Sequence, residues 1–244
     1  MSSKINYTLH LADNALILGQ RNSAWCGHGP VLEQDIAITN ISLDLIGQAR
    51  SLYQYAAELT GGGTTEDSLA YLRTEREFSN CLLVEQPNGD WAQTLLRQFL
   101  FSSYQFYLYQ YLQCYSDTRI AAIAEKSLKE VSYHLRWSSE WVIRLGDGTE
   151  ESHRRIASAL DELWRYTGEL FLPAGYEKDL AIDVAALEYD WSKKIKNVFA
   201  EANLTVPGNV FMQTGGKSGM HSEYLGHLLT ELQYMQRTFP GCEW

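Results

Sequence analysis

The sequence predicts an all-α fold, and two features of its patterning support this prediction. Apolar residues recur at helical spacing through most of the 244 residues, and no convincing alternating run of the strand type is present. With 45% hydrophobic and 20% charged residues, the chain resembles an ordinary globular protein that can bury a large core without disulfides. The clearest helical period runs through Val31, Leu32, Ile36, Ile38, Leu43, Leu45, Ile46, Ala49, Leu52 and Tyr53.

The predicted helices are separated by residues that favour turns or helix ends. Pro30 stands where a helix start tolerates a missing N–H, and three glycines at 61–63 follow the second helix. Asp90 and Asp117 are the predicted N-caps of the fourth and fifth helices. These breaks give helices at about 6–24, 31–60, 66–79, 91–116, 118–145, 150–172, 183–203 and 220–238.

Four of these helices are long, and short loops join them into two antiparallel pairs. The 60–90 segment between the pairs provides the crossover connection of a ferritin-like four-helix bundle. We therefore expect a single domain over residues 1–244, with a core bundle at about 6–145 and additional C-terminal helices at about 150–238.

Composition excludes several classes of partner. The 30 acidic and 20 basic residues give a formal net charge of −10, which repels nucleic acids and anionic membranes. No apolar stretch is unbroken enough to span a bilayer, and the first residues lack the apolar run of a secretion signal. The four cysteines form no C-x-x-C pair, so we expect reduced thiols and a cytoplasmic location.

The candidate functional residues of a ferritin-like bundle are metal ligands. In its di-iron members, two helices each supply a Glu, and the other two each supply a Glu-x-x-His pair. This chain carries only fragments of that pattern. Asp44 is followed three positions later by Gly47, and Val131 stands three positions before His134. Both ligand pairs are therefore incomplete.

The fourth helix offers no acidic ligand, because no carboxylate lies between positions 90 and 117. Counted generously, the candidate ligands are Asp13, Asp44, Glu130 and His134, which are too few for two irons in a dry core. We therefore expect neither a catalytic residue nor a metal site in this chain.

The alternative for these side chains is a buried polar network. We expect Glu130 to form a hydrogen-bonded pair with His134 in the core. Asp44 is expected to join a second group, whose candidate members are Asn40, Gln48 and either Arg50 or Arg21.

Two further segments carry expectations about contacts. Residues 215–218 lack the spacing of a phosphate-binding loop, so we expect a flexible loop in which Lys217 could contact a phosphate or an acidic partner. The fourth helix is aromatic on all sides, which predicts a partner subunit against an outward Tyr104, Tyr107 or Tyr111. The isolated chain would then self-associate or depend on its partner for solubility.

Six dispersed segments resemble one family, the structural C subunits of the ring 1,2-phenylacetyl-CoA epoxidases, also called phenylacetate-CoA oxygenases. The resemblance is nearly full-length. Its segments are 25–30 (WCGHGP), 43–50 (LDLIGQAR), 78–89 (FSNCLLVEQPNG), 129–136 (KEVSYHLR), 214–217 (TGGK) and 240–244 (PGCEW).

The resemblance implies a ferritin-like bundle that has lost its irons and that supports the catalytic, di-iron A subunit of a bacterial multicomponent monooxygenase. The complex would use NADPH through a reductase with FAD and an iron–sulfur cluster, and this chain would hold no cofactor. In the catalytic subunit, the segment similar to residues 129–136 implies a Glu where this chain has Val131, while His134 is kept. It also implies that Glu77, Phe78, Ser79 and Asn80 lie near the coenzyme A end of the substrate at the subunit junction, where Ser79 and Asn80 could donate hydrogen bonds.

Three hypotheses of function follow. The chain is a non-catalytic scaffold subunit, or an active di-iron oxygenase or ferroxidase in its own right, or a homo-oligomeric binding module without an oxygenase partner. The incomplete ligand set favours the scaffold subunit.

Overall fold

The structure is a computed structural model, and it describes residues 2–242. Glu243 and Trp244, which close the last of the resembling segments, lie outside the described residues. The helices are α1 (Ser3–Ser23), α2 (Leu32–Thr60), α3 (Glu66–Tyr71), α4 (Leu82–Glu85), α5 (Trp91–Leu112), α6 (Thr118–Gly146), α7 (Glu150–Leu163), α8 (Gly175–Asp179), α9 (Glu188–Glu201), α10 (Glu223–Leu232) and α11 (Tyr234–Thr238). Residues 2–242 form no strand, so the all-α prediction is confirmed.

The core is a ferritin-like four-helix bundle. Helix α1 packs along α2, α5 packs along α6, and the two pairs meet where α2 contacts α6. Helices α7 and α9 lie against α5 and α6 outside the bundle. The close contact between α6 and the end of α9 requires Gly146, because a Cβ there would lie 2.2 Å from the carbonyl oxygen of Ala202.

The predicted N-caps of α5 and α6 are confirmed. The Asp90 side chain accepts a hydrogen bond from the Gln93 N–H, and the Asp117 side chain accepts from the N–H groups of Arg119 and Ile120. Both caps satisfy donors that the first helical turn leaves without an intrahelical partner.

Several predicted helices are shorter than expected, and the one predicted over 183–203 is α-helical over Glu188–Glu201. The helix predicted over 66–79 ends at Tyr71, and the one predicted over 150–172 ends at Leu163 and continues as short 3₁₀ turns. The one predicted over 220–238 consists of α10 and α11. Sequence patterning places boundaries poorly where apolar residues continue beyond the helix and pack as turns.

The prediction that a partner covers the aromatic helix α5 is wrong for most of its length. Tyr104 is 1% exposed and packs edge-on against Phe171, while Phe99 packs against Phe199 of α9. The helix is apolar on all sides because the chain's own C-terminal helices cover it. Towards its C-terminal end α5 does reach the surface, where Tyr107 is partly exposed and Tyr111 is 38% exposed.

Residues 2–242 also bear on two expectations from composition, which concern the cysteines and a membrane-spanning helix. All four cysteines, Cys26, Cys81, Cys114 and Cys242, are free thiols. Within the described part of the chain, no helix has the combination of length and apolar character that crossing a bilayer requires.

Candidate functional site

Hydrogen-bonded polar side chains occupy the contact between α2 and α6, which holds the incomplete metal-ligand pattern. His134 is fully buried, and its Nε2 lies 3.0 Å from Oδ2 of Asp44. The Gln48 amide donates to Glu130 at 2.8 Å. The expected pairing of His134 with Glu130 is therefore wrong, because each side chain takes a partner from α2 across the helix contact instead.

The other members expected around Asp44 lie elsewhere. Asn40 is exposed. Arg50 lies at the surface near Glu66, and Arg21 donates to the carbonyl oxygen of Glu85. Asp44 has a side chain that is 36% exposed, so water can solvate the carboxylate and no buried cation is needed.

Amide and hydroxyl groups fill the α5 side of the bundle centre. The Gln105 amide donates to Gln48 at 3.0 Å, and the Gln98 amide donates to Ser102 at 2.7 Å. The Asn22 amide of α1 donates to Gln98 at 2.6 Å. These neutral groups bond to one another, although Gln105 Oε1 is buried without a partner, so this side of the core is polar without carrying a negative charge.

Asp13, the remaining candidate ligand, belongs to a different buried cluster. Its carboxylate forms an ion pair with Arg73 and accepts from the Tyr53 hydroxyl at 2.6 Å and from the Ser79 N–H at 2.8 Å. The Arg73 guanidinium also lies 4.1 Å from the centroid of the Phe78 ring. The negative charge of Asp13 raises the pKa of Arg73 against the effect of burial, which lowers it.

The donor set does not fit a di-iron centre. Two irons need several carboxylates aimed at one point, and residues 2–242 contain no group of three or more His, Cys, Asp or Glu side chains arranged to hold a metal. Val131 is fully buried in the apolar core. A Cβ added at Gly47 would meet nothing within 4 Å, because this position faces solvent. His134 Nδ1 is buried without a hydrogen-bond partner, but the cluster around it supplies no second ligand pair.

The Asp13 cluster fixes the crossover connection to α1. His10 Nδ1 lies 2.6 Å from the carbonyl oxygen of Ser79, and the Asn14 side chain accepts from the Cys81 N–H at 2.8 Å. Burial lowers the pKa of His10, which favours its neutral form. The side chains of His10, Asp13 and Asn14 on α1 thus hold residues 79–81 in place.

The segment 214–222 packs on the crossover and is not the flexible loop that was expected. Buried Glu169 accepts from the N–H groups of Leu82 and Gly215, both at 2.7 Å, and so joins the two segments. A Cβ on Gly216 would lie 2.3 Å from the carbonyl oxygen of Asn80, so only glycine permits this approach.

Two further ion pairs hold the ends of this segment. His221 Nδ1 lies 2.7 Å from a carboxylate oxygen of buried Glu85, whose charge and hydrogen bond raise the pKa of His221 against the effect of burial. Lys217 Nζ donates to both carboxylate oxygens of fully buried Glu177 at 3.1 Å. Lys217 is itself only 7% exposed, so its ammonium group is engaged inside the protein and is not free for the phosphate or acidic partner that the sequence left open.

A cleft of about 790 Å³ opens beside these clusters. Its lining is shared by α1, the crossover, α8 and the segment 214–220, and it includes Arg76, Glu77, Phe78 and Ser79. Arg76 is exposed, and Phe78 is only 1% exposed. Three of the four residues expected near the substrate therefore border this cleft.

Asn80 is not available to a ligand. Its side chain is fully buried, and its amide donates to Glu85 at 2.8 Å and to the Cys81 carbonyl oxygen at 3.2 Å. The Ser79 N–H is likewise taken by Asp13. The Asn80 amide is thus used inside the protein. Ser79, whose hydroxyl donates to Asp13 at 3.3 Å, borders the cleft, and its contact with a substrate stays a prediction.

The fold and the polar centre define a ferritin-like helical protein with an incomplete set of metal-ligating carboxylates. The whole chain, residues 1–244, matches the family described as phenylacetic acid catabolic protein. It is 47% identical over 249 aligned residues to the C subunit of 1,2-phenylacetyl-CoA epoxidase from Escherichia coli (strain K12), and the alignment covers 100% of both proteins. The chain therefore belongs to the phenylacetic acid catabolic protein family, which confirms the resemblance found in the sequence.

Proposed function

We propose that this chain is the non-catalytic structural subunit of a bacterial multicomponent di-iron monooxygenase that epoxidises the ring of phenylacetyl-CoA. The observation that carries this proposal is the content of the bundle centre. Paired amides and a buried valine stand where a di-iron bundle needs carboxylates, and Gly47, which faces solvent, stands where it needs a histidine. We take the reaction of the complex from the name of the similar protein, which is the C subunit of an epoxidase.

In this proposal the iron chemistry belongs to a catalytic A subunit, with which the chain forms a heteromer. NADPH supplies electrons through a reductase that holds FAD and an iron–sulfur cluster, and this chain binds none of these groups. Its own residues supply a rigid framework. The ion pairs of Asp13, Glu85 and Glu177 fix the crossover and the segment 214–222 beside the cleft.

The cleft is our proposed location for the coenzyme A end of the substrate. Arg76 is the one basic side chain of its lining that is exposed, and it can meet a phosphate, since Arg73 and Lys217 are paired internally. Glu77 and Phe78 would border the ligand, while Asn80 would act only by holding the crossover in place.

An active di-iron oxygenase or ferroxidase is the alternative, and it needs Asp13, Asp44, Glu130 and His134 to converge. Asp13 instead bonds to Arg73, and Glu130 bonds to Gln48. No observation on these residues favours the alternative.

Replacing His134 by Gln tests the proposal. Because this side chain only satisfies a buried polar contact, the variant should lose about 1–3 kcal/mol of unfolding free energy in chemical denaturation. Turnover of phenylacetyl-CoA by the reconstituted complex, measured per assembled complex, should stay close to that of the wild type. Omitting the chain altogether should abolish turnover.

Loss of turnover in a His134→Gln complex that still folds and assembles would contradict the proposal. Normal turnover by the catalytic subunit and reductase without this chain would contradict it as well.

A further inference from the structure

His221 joins three parts of the fold beside the cleft. It lies just before α10, its side chain is only 2% exposed, and it contacts both α4 and the crossover. Its Nδ1 lies 2.7 Å from Oε2 of Glu85, and its Nε2 lies 3.0 Å from the carbonyl oxygen of Phe78. Both ring nitrogens therefore face oxygen atoms, one of a carboxylate and one of the backbone.

This arrangement favours a positively charged ring. A neutral imidazole has one N–H and one bare nitrogen, so it donates to only one of two acceptors, whereas an imidazolium donates to both. The carbonyl oxygen of Phe78 can only accept. The Glu85 carboxylate already accepts from the Asn80 amide at 2.8 Å and from the Ser222 N–H at 2.7 Å. Both of its oxygens thus act as acceptors, as in an ionised carboxylate.

The charged groups of the surrounding elements are compatible with an imidazolium. Burial lowers the pKa of His221, but the hydrogen bond and charge of Glu85 outweigh this effect and raise it. Asp13 of α1 adds negative charge, although its carboxylate is paired with Arg73. The Arg21 guanidinium donates to the backbone carbonyl oxygen of Glu85, so it leaves the carboxylate to His221.

The other titratable groups on these elements are exposed or have other partners: His10 of α1, Arg76 and Glu77 of the crossover, Glu169, Lys217, and Glu223 and Tyr224 of α10.

His221 connects two segments that line the cleft. Phe78 of the crossover lines it, and so does Met220, the residue before His221. Residues 215–220 form a closed turn, in which the Met220 N–H donates to the Gly215 carbonyl oxygen at 3.0 Å. Within residues 2–242, the Phe78 carbonyl oxygen accepts a hydrogen bond from His221 alone. The Nε2 proton is therefore what bonds this part of the chain to Phe78.

We propose that His221 is a positioning residue that holds the shape of the cleft as an imidazolium, and that loss of its proton breaks the contact between the 215–220 turn and Phe78. A neutral His221 would keep one of its two hydrogen bonds. The consequence for a ligand rests on the proposed function, because that function places the coenzyme A end of the substrate in this cleft.

The direction of the pH dependence follows from the raised pKa of His221 in the folded protein. Its contribution to stability is complete below the ordinary histidine value of about 6.5, and it is lost as the pH rises through the raised pKa. The cleft is therefore expected to loosen on the alkaline side.

Nuclear magnetic resonance of the full-length chain with nitrogen-15 histidine tests the charge, with His221→Gln identifying the signal. Both ring nitrogens of His221 should still be mainly protonated at about pH 7, and the titration midpoint should lie above about 6.5. Glu85→Gln removes the charge and keeps the side-chain size, so the midpoint should fall below about 6.5. His227→Gln is the matched control, because His227 is exposed on α10 and should not affect the midpoint.

Hydrogen exchange tests the contact without a ligand. Amide protection of residues 215–222, corrected for the intrinsic exchange rate, should fall in the wild type between about pH 7 and about pH 9 as His221 loses its proton. The His221→Gln variant has no proton to lose at this position, so its protection should not change over the same range. The His227→Gln variant should behave like the wild type.

Coenzyme A binding, measured by calorimetry on the same full-length proteins, tests the consequence for the cleft. Above about pH 7 the phosphate groups are ionised, so the charge of the phosphates stays constant. The wild-type affinity should fall roughly three- to tenfold up to about pH 9, which is the effect of one hydrogen bond. The affinity of His221→Gln should stay constant.

A neutral His221 at about pH 7 would overturn the inference and leave the proposed function intact. Unchanged protection, or an unchanged wild-type affinity for coenzyme A, across the pH range would overturn it as well. A charged His221 with pH-dependent protection, in a chain that binds no coenzyme A at either pH, would support the positioning role and contradict the proposed location of the ligand.

Discussion

Replacing Arg73 by Met is expected to lower the free energy of unfolding by about 3–5 kcal/mol. The substitution keeps most of the side-chain volume and removes the cation that neutralises Asp13, whose carboxylate is fully buried. The Tyr53 hydroxyl and the Ser79 N–H would remain as hydrogen-bond donors, but no positive charge would compensate the carboxylate. Urea denaturation measures the loss.

Arg50→Met is the matched control, because the Arg50 side chain is 71% exposed and lies 3.7 Å from its acidic neighbour. Its unfolding free energy should change by no more than about 0.5 kcal/mol. Adding Asp13→Asn to Arg73→Met should recover part of the loss, since the buried charge is then gone. A loss below about 1 kcal/mol for Arg73→Met would show that the ion pair does not hold the crossover.

Replacing Lys217 by Met should destabilise the protein by a similar amount, about 3–5 kcal/mol. The ammonium group donates to Glu177 and to the carbonyl oxygens of Leu170 and Leu172. The variant therefore leaves the buried carboxylate without its cation, with the Ala174 N–H as a remaining donor, and removes the donor of the two carbonyl groups. Thermal or urea unfolding measures this effect without any ligand.

Lys178→Met is the control for this variant, since Lys178 is exposed beside Glu177 and should tolerate the change. The double variant Lys217→Met, Glu177→Gln should be more stable than Lys217→Met alone. If Lys217→Met unfolds like the wild type, the segment 214–222 does not depend on this ion pair.

The helices and their caps could be predicted from sequence because they depend on local rules. Asp90 and Asp117 cap α5 and α6 through contacts two or three residues away, and the apolar period identifies every long helix. The missing Glu-x-x-His pairs were equally visible, since they need only positions along one helix.

The partners of the buried charges could not be predicted, because those contacts are distant in sequence. Asp13 meets Arg73 sixty residues away, and Lys217 meets Glu177 at a separation of forty. A helical period shows that a side chain faces inward, but not which loop crosses above it. The only signal in the sequence was a set of charged residues at positions that should be buried.

The outward face of α2 was missed for a different reason. The apolar period from Val31 to Tyr53 combines two faces, and only the face with Ile38, Ile41 and Leu45 is buried in the bundle. A sequence that is apolar on two sides of a helix does not show which side the chain itself covers. For α5 the chain covers most of the helix, and for α2 it leaves Leu32, Ile36 and Leu43 exposed.

The iron content of the purified chain tests the central claim most directly. The chain would be incubated anaerobically with ferrous iron, desalted and analysed by mass spectrometry for metal, with the catalytic subunit as the positive control. The account predicts that the chain retains well below one iron. The Val131→Glu variant should also retain well below one iron per chain. Gly47 and the carboxylate-free α5 would still leave the ligand set incomplete. A wild-type chain that retains close to two irons would contradict the structural, non-catalytic role.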